Sequence, residues 1–293
     1  MRVLTIDFEC WPQMVYGELT GQDRAVGRDG LERATDTLLA LTERHGVRAT
    51  VFVLGVTARA FPDLVRRIHA AGHELGAHGE THERLDRLTP ARRQASMRAV
   101  KARLEDLVGA PIRGFRAPYF SIVRSNLDAL EELADAGFAY DSSIVPIVHR
   151  RYGVPGWPRG PERVAGGRLV ELPLATVAVG AGNLPVAGGG YWRALPDSWV
   201  VRGLEAANDQ PAVVYLHPYQ LDPQPPEAVP GPLGPLNRLR AGAFRLAQRL
   251  GRSGNPALLD RVLQTGQWTT AGELVDAFLT AAPPSATPGA QWR

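Results

Sequence analysis

Short apolar runs alternate with helix-patterned segments along almost the whole of this chain, and few folds accommodate that order. Arg2–Ile6 (R-V-L-T-I) reads as a buried strand, and Ala49–Leu54 (A-T-V-F-V-L) as another, rich in β-branched residues. Between them, after a loop, Asp29 and Glu32 are placed as N-cap and N3 partner of a helix with Leu31, Ala34, Leu38 and Leu41 on one face, ended at His45-Gly46. The pattern continues with a helix over 62–71 closed by Gly72, a strand over 73–77, a helix opening at Thr89-Pro90 and closing at Gly109, and a strand over 112–115. A helix over 125–136, strands at 138–140 and 168–174, a helix over 197–208 and a strand at 212–216 follow. Then come a Pro-rich stretch (222–235), basic helices and a last helix capped at Thr270, while the tail 283–293 reads as disordered. Parallel strands joined by crossover helices explain this order, and about seven repeats point to closure into a barrel. An open doubly wound sheet is the competing architecture, but no Gly-rich phosphate loop follows the first strand. No linker divides the chain, so one domain over 1–282 is expected.

In such folds chemistry collects at the carboxyl ends of the strands. Asp7 and Glu9 (T-I-D-F-E) leave the first strand, and A-H-G-E-T-H-E sets His78 and His82, two of seven histidines, four apart after the third. One helical turn would point both imidazoles the same way, as a divalent metal requires. Arg116 leaves the fourth strand, Asp141 the fifth and His217 the seventh. Scattered structural residues would not all fall on one rim. The formal charge of +3 is small for 293 residues, and the arginines are spread along helices, which fits solvated faces better than a nucleic-acid surface. A single cysteine, Cys10, excludes an internal disulfide framework. No apolar run approaches membrane-spanning length, and the chain opens directly into a strand, so a cytoplasmic or membrane-peripheral protein without a transmembrane segment is expected.

T-I-D-F-E, H-G-E-T-H, R-A-P-Y-F-S, Y-D-S-S and L-H-P stand in the order of the polysaccharide deacetylase family, the NodB-homology group of carbohydrate esterase family 4. G-V-R-A-T-V-F-V-L-G, A-A-G-H-E-L-G-A-H-G and G-F-R-A-P-Y-F-S-I resemble most closely its exosortase and exopolysaccharide-associated branch. The resemblance runs from about Leu4 to about Gln220 and implies a distorted (β/α)7 barrel, one divalent metal ion and hydrolysis of N-acetyl groups on sugars. It makes Glu9, His78 and His82 the metal ligands and Asp7 the base. Zinc is the first choice of metal, with cobalt, manganese or nickel as alternatives. His217 would protonate the leaving amine, Arg116 would hold Asp7 ionised, and the Tyr119 N–H would help stabilise the oxyanion.

The family also implies an acid that orients the catalytic histidine, Asp141, although Glu171 could do the same. Trp11, Tyr119, Phe120, Tyr191 and Trp192 are candidates for a sugar-stacking wall. The close branch usually reads D-V-E-D where this chain reads D-F-E-C, so Cys10 stands in place of a common aspartate, and a buried thiol is the simpler reading of it. The expected partner is an N-acetylated oligo- or polysaccharide of bacterial origin. Alternatives are a barrel amidohydrolase acting on a small cyclic imide, ureide or N-acyl compound, under a lid made by 157–161 or by the Pro-rich stretch, and a catalytically inactive sugar-binding relative.

Overall fold

The computed structural model describes residues 1–21, 27–180, 182–193, 195–222, 224–225, 228, 233–249 and 251–281. The expected disordered tail and half of the Pro-rich stretch lie outside them. In chain order the strands are β1 (Arg2–Phe8), β2 (Thr50–Val53), β3 (Glu74–Ala77), β4 (Gly114–Phe115), β5 (Tyr140–Asp141), β6 (Glu162–Val164), β7 (Leu169–Glu171), β8 (Thr176–Val179), β9 (Gly182–Pro185), β10 (Ala212–Leu216) and β11 (Trp268–Thr269). β10-β1-β2-β3-β4-β5-β7 form a parallel series, β6 adds an antiparallel edge beyond β7, and β11 pairs with the start of β1. A bridge from Leu174 to Val213, with Ala175 N–H donating to the Val213 carbonyl at 3.0 Å, brings the chain after β7 round to β10. The sheet therefore curls into the distorted (β/α)7 barrel that the motif order implied.

The two-residue period of each strand sorts its side chains between two cores. Val3, Phe52, Tyr140, Val170 and Val213 pack together inside the barrel. Leu4, Ile6, Val51, Val53 and Leu75 face the helices with Leu31, Leu38 and Ile68. That alternation aims Thr5 and Asp7, two and four residues after Val3, into the lumen.

The helices are α1 (Trp11–Thr20), α2 (Arg28–His45), α3 (Gly55–Ala60), α4 (Pro62–Ala70), α5 (Pro90–Val108), α6 (Ala129–Asp135), α7 (Gly189–Trp192), α8 (Asp197–Ala206), α9 (Pro218–Leu221), α10 (Pro235–Arg249), α11 (Asn255–Leu263) and α12 (Ala271–Ala281). α5 begins as its sequence predicts, with Arg92 N–H donating to Thr89 Oγ1 at 3.4 Å, and ends at Gly109 in the left-handed conformation. α2 differs at its start. Gly27, with φ +87°, is its N-cap, and Asp29 lies inside the first turn, where a carboxylate favours the helix dipole. The expected helix over 125–136 is a 3₁₀ turn at Arg124–Asn126 followed by α6. α1 stands where a loop was expected. Its Trp11, Val15 and Tyr16 are held by Tyr219, Leu233 and Ala241, so packing rather than a capping side chain secures it. No helix among the described residues is long and apolar enough to cross a membrane.

Candidate active site

Asp7 and Glu9 reach the same mouth because the chain turns sharply after β1, with Glu9 N–H donating to the Asp7 carbonyl at 2.9 Å. Both carboxylates are buried there, at 2% and 1% exposure. His78 and His82 follow β3, on a loop rather than on the helical turn their spacing predicted. Gly79, with φ +91°, breaks any helix at that point. A side chain there would also crowd Pro118, whose Cγ would lie 3.3 Å from its Cβ. The loop still brings the imidazoles together, with ring centroids 5.6 Å apart. His82 Nε2 stands 2.7 Å from Glu9 Oε2.

Among the described residues, Glu9, His78 and His82 are the group whose donor atoms converge, all within 4.8 Å of one another. His78 Nδ1 donates to the Arg116 carbonyl at 2.9 Å, which fixes the tautomer and leaves Nε2 as the lone-pair nitrogen. Burial lowers the His78 imidazole to about 4, so it is neutral and fit to ligate near neutral pH. Two imidazoles and one carboxylate suit a divalent ion of the zinc type. Cys10 lies outside this group. It is buried, and its Sγ lies 3.5 Å from Gln13 Oε1.

Arg116 is fully buried at the end of β4. Its Nη1 donates to Asp7 Oδ1 at 2.8 Å and to Thr5 Oγ1 at 2.6 Å, while Nε and Nη2 donate to the carbonyl and hydroxyl of Ser142, both at 2.8 Å. Its guanidinium lies 4.3 Å from the centre of the Phe52 ring. Burial alone would raise the Asp7 carboxyl, but the charge of Arg116 outweighs it, with help from His78 and His217, and holds the group below the ordinary aspartate value. His217 closes the constellation from the end of β10, its Nε2 3.4 Å from Glu9 Oε1 and 4.0 Å from Asp7 Oδ2. Tyr219 stacks on its ring at 4.9 Å.

These groups open into a cleft of about 450 Å³ also lined by Trp11, Tyr119, Phe120, Tyr152 and Tyr215. Tyr119 and Phe120 both have positive φ, +57° and +51°, a conformation bulky residues rarely hold. Hydrogen bonds from Phe120 N to Ala117 O and from Ser121 Oγ to Pro118 O fasten the turn, and the Tyr119 ring meets His82 at 4.2 Å.

Three expected site residues stand elsewhere. Trp192 is 1% exposed, belongs to the outer core, and donates its Nε1–H to the Val186 carbonyl, so it forms no part of the sugar-facing wall. Tyr191 likewise does not line the cleft, but its hydroxyl meets that of Tyr152, which does, at 2.7 Å. Asp141 does not orient His217. Its neighbour Tyr140 points into the lumen, so the strand's period turns Asp141 to the opposite face. There it accepts from Ser143 Oγ at 2.7 Å and pairs in register with Glu171, which accepts from Ile144 N–H at 2.9 Å. Ser143 Oγ in turn accepts from Ala117 N–H, next to Arg116.

Burial pushes both of these carboxyls up, and the charge of Asp141 drives Glu171 well above the usual range. Between the ordinary glutamate value and that raised one, the folded protein holds a proton the unfolded chain releases. Stability therefore falls as pH rises through the window. Glu171→Gln keeps the shape and can donate to Asp141, so it is expected to flatten the dependence. Urea melts from about pH 5 to about pH 9 check this, and an unchanged slope would count against the pair as its cause.

The sequence reading missed Thr5 and Ser142, the partners of Arg116. Both were within reach of the two-residue period, which puts Thr5 beside Asp7 and Ser142 beside Tyr140.

A parallel barrel with a His-His-carboxylate donor set beside a buried Asp–Arg pair defines the class: an α/β barrel protein built around a candidate metal centre. Residues 28–140 match the family model described as polysaccharide deacetylase, and residues 142–276 match a domain of unknown function (DUF3473). A peptidoglycan-N-acetylglucosamine deacetylase of Bacillus cereus is 29% identical over 110 residues, which are 38% of this chain and 40% of that one. A chitin deacetylase of Colletotrichum lindemuthianum is 37% identical over 98 residues, 32% of this chain and 40% of that one. A chitooligosaccharide deacetylase of Bradyrhizobium is 32% identical over 154 residues, 52% of this chain and 66% of that one. The chain thus matches well under two thirds of the length of the first two.

Among solved structures, a candidate polysaccharide deacetylase from Mycobacterium smegmatis aligns over 98% of this chain and 94% of its own, with a TM-score of 0.60 at 20% identity. A CE4 family pseudoenzyme from Bacillus anthracis aligns over 94% of this chain and 65% of its own, with a TM-score of 0.50 at 14% identity. At such identities these two speak for the fold.

Proposed function

We propose that the protein is a metal-dependent deacetylase removing N-acetyl groups from amino sugars of a bacterial polysaccharide or its precursor, an exopolysaccharide first of all. The observation that supports this most is the convergence of a base and an acid candidate on one donor set. Asp7, clamped by Arg116, and His217 both stand within 4.0 Å of one another beside Glu9. Pure sugar binding needs neither group. The small-molecule alternative wants a lid; one of its two expected sources, residues 157–161, does not line the cleft, and the other, the Pro-rich stretch, lies partly outside the described residues. Trp157 is buried in the outer core, and Arg159 is bound to Asp209 and the Thr176 carbonyl.

Glu9, His78 and His82 would hold the ion, zinc by donor type. When bound, it supplies Lewis acidity towards an amide carbonyl and a water. Asp7, kept ionised and aimed by Arg116, takes the proton of the attacking water. The Tyr119 N–H, at the mouth of the cleft, would help stabilise negative charge on the former carbonyl oxygen. His217 gives a proton to the nitrogen as the C–N bond breaks, so acetate and a free amine leave.

Acetate release from a panel of N-acetylhexosamine oligomers tests the reading. Release is expected from at least one member, lost after dipicolinate treatment and restored by one equivalent of Zn²⁺ or Co²⁺. Full activity after verified metal removal would overturn the metal's role. No release by protein with metal verified as bound would shift the reading to the small-molecule amidohydrolase, then to a catalytically inactive sugar-binding relative.

A further inference from the structure

The arginines that look scattered in the sequence meet in space. Beside the candidate active site lies a second groove of about 460 Å³, which shares Arg84, His149, Arg151 and Tyr152 with the first cleft, so the two run into each other. Arg87, Arg124 and Arg150 line its remaining length. They gather because they sit on the loops that follow β3, β4 and β5, which are neighbours in the sheet.

Ion pairing leaves the groove strongly positive. Arg84 is satisfied by Asp86 at 2.8 Å and Arg151 by Glu18 at 2.7 Å. Asp86 is the only carboxylate lining the groove among the described residues. Arg87, Arg124 and Arg150 have no carboxylate within 4.0 Å among the described residues. Among the described residues Arg124 donates only to the Pro155 carbonyl, which leaves its charge uncompensated there. Where the tilted rings of His149 and Tyr152 meet at 3.9 Å, the groove also offers an aromatic surface at the junction with the cleft. Three uncancelled guanidinium charges along the exit of a glycan-sized cleft are poorly matched to a neutral polymer, and guanidinium forks suit carboxylate or phosphate.

We propose that this groove is a subsite for an anionic glycan: the polymer bears carboxylate or phosphate groups on units next to the N-acetylated sugar in the cleft. This rests on the deacetylase reading for what lies in the cleft, but the groove's own ligand is separately measurable.

The test compares a hyaluronan hexamer, which alternates N-acetylglucosamine with glucuronate, against neutral chitohexaose. In low salt the kcat/KM ratio is expected to favour the anionic hexamer by about tenfold. It is expected to fall to about one in the triple variant Arg87→Ser, Arg124→Ser, Arg150→Ser, and likewise in about 0.5 M NaCl, where the screening length shrinks to about 4 Å. Calorimetry with oligogalacturonate, which has no acetamide, reads the groove alone. It is expected to bind the parent protein and not the triple variant, and glycerol-phosphate oligomers binding instead would identify phosphate as the anion.

Binding of oligogalacturonate without deacetylation of any hexamer would leave the groove standing and sink the deacetylase reading. Equal turnover of both hexamers with no oligomer bound would do the reverse. Capture of phosphatidylglycerol vesicles, lost in the triple variant while neither anionic oligomer binds, would assign the patch to a membrane surface and overturn the proposal.

Discussion

Asp7→Asn is expected to lower kcat for acetate release by on the order of 10³ while the protein stays folded and keeps its metal. Asparagine has nearly the shape of aspartate, and its Oδ1 can still accept from Arg116 Nη1, which now lies at 2.8 Å. What disappears is the basic oxygen that takes a proton from water. Metal content should survive, because the converging donors are Glu9, His78 and His82 and not Asp7. The decisive measurement is therefore kcat together with metal stoichiometry and an unfolding curve on the same preparation. A loss of activity accompanied by loss of metal would recast Asp7 as a ligand. A rate within a few-fold of the parent would remove it from the chemistry.

Arg116→Met should produce the largest loss of stability of any substitution near the site, about 3–5 kcal/mol, because it strands a buried charge. The parent guanidinium is fully buried and serves Thr5, Asp7 and Ser142 at once. Without it, Asp7 remains in a place where burial favours the protonated form, and the Ser142 carbonyl and hydroxyl lose their donors. Urea unfolding gives the number. The double variant Asp7→Leu, Arg116→Met separates the causes: it should recover part of the loss, since no lone charge is left, while activity stays absent. A single-variant cost below about 1 kcal/mol, typical of exposed pairs, would mean that the pair is not the keystone its geometry indicates.

Much of the barrel was legible because strands buried on both faces are written as largely apolar runs, unbroken in β10 and interrupted in β1 only by residues that serve the lumen or its ends. Residues at or just past the carboxyl ends of the strands were legible for the same reason, which is how Asp7, His78, Arg116 and His217 could be placed on one rim. α1 was not legible. It contains Pro12 and Gly17, lacks a side-chain cap, and depends on Tyr219 and Leu233 from over 200 residues away. Asp141 misled because a strand-end acid in a motif looks functional, whereas one step of the pleat turns it away from the cleft and leaves Ser142 facing Arg116. The basic groove was hidden differently. Its arginines lie on three separate loops, and only the neighbourhood of β3, β4 and β5 in the sheet makes them a group.

The position of β1 has a consequence for how the protein is made. Thr5 Oγ1 donates to the Val214 carbonyl across 209 residues of sequence, and Arg2 and Val3 pair with Trp268 and Thr269 later still. During synthesis β1 can therefore pair on its β2 side early, while its other edge waits for most of the chain to leave the ribosome. An open apolar edge invites pairing with foreign strands, so Val3, Leu4 and Ile6 are a period of vulnerability that a chaperone would have to cover. The same strand leads into Asp7 and Glu9. Translation, closure of the sheet and the arrival of His217 thus converge on one late event, and a nascent chain stalled before β10 would be an aggregation hazard that already carries Glu9, His78 and His82 but lacks the acid candidate.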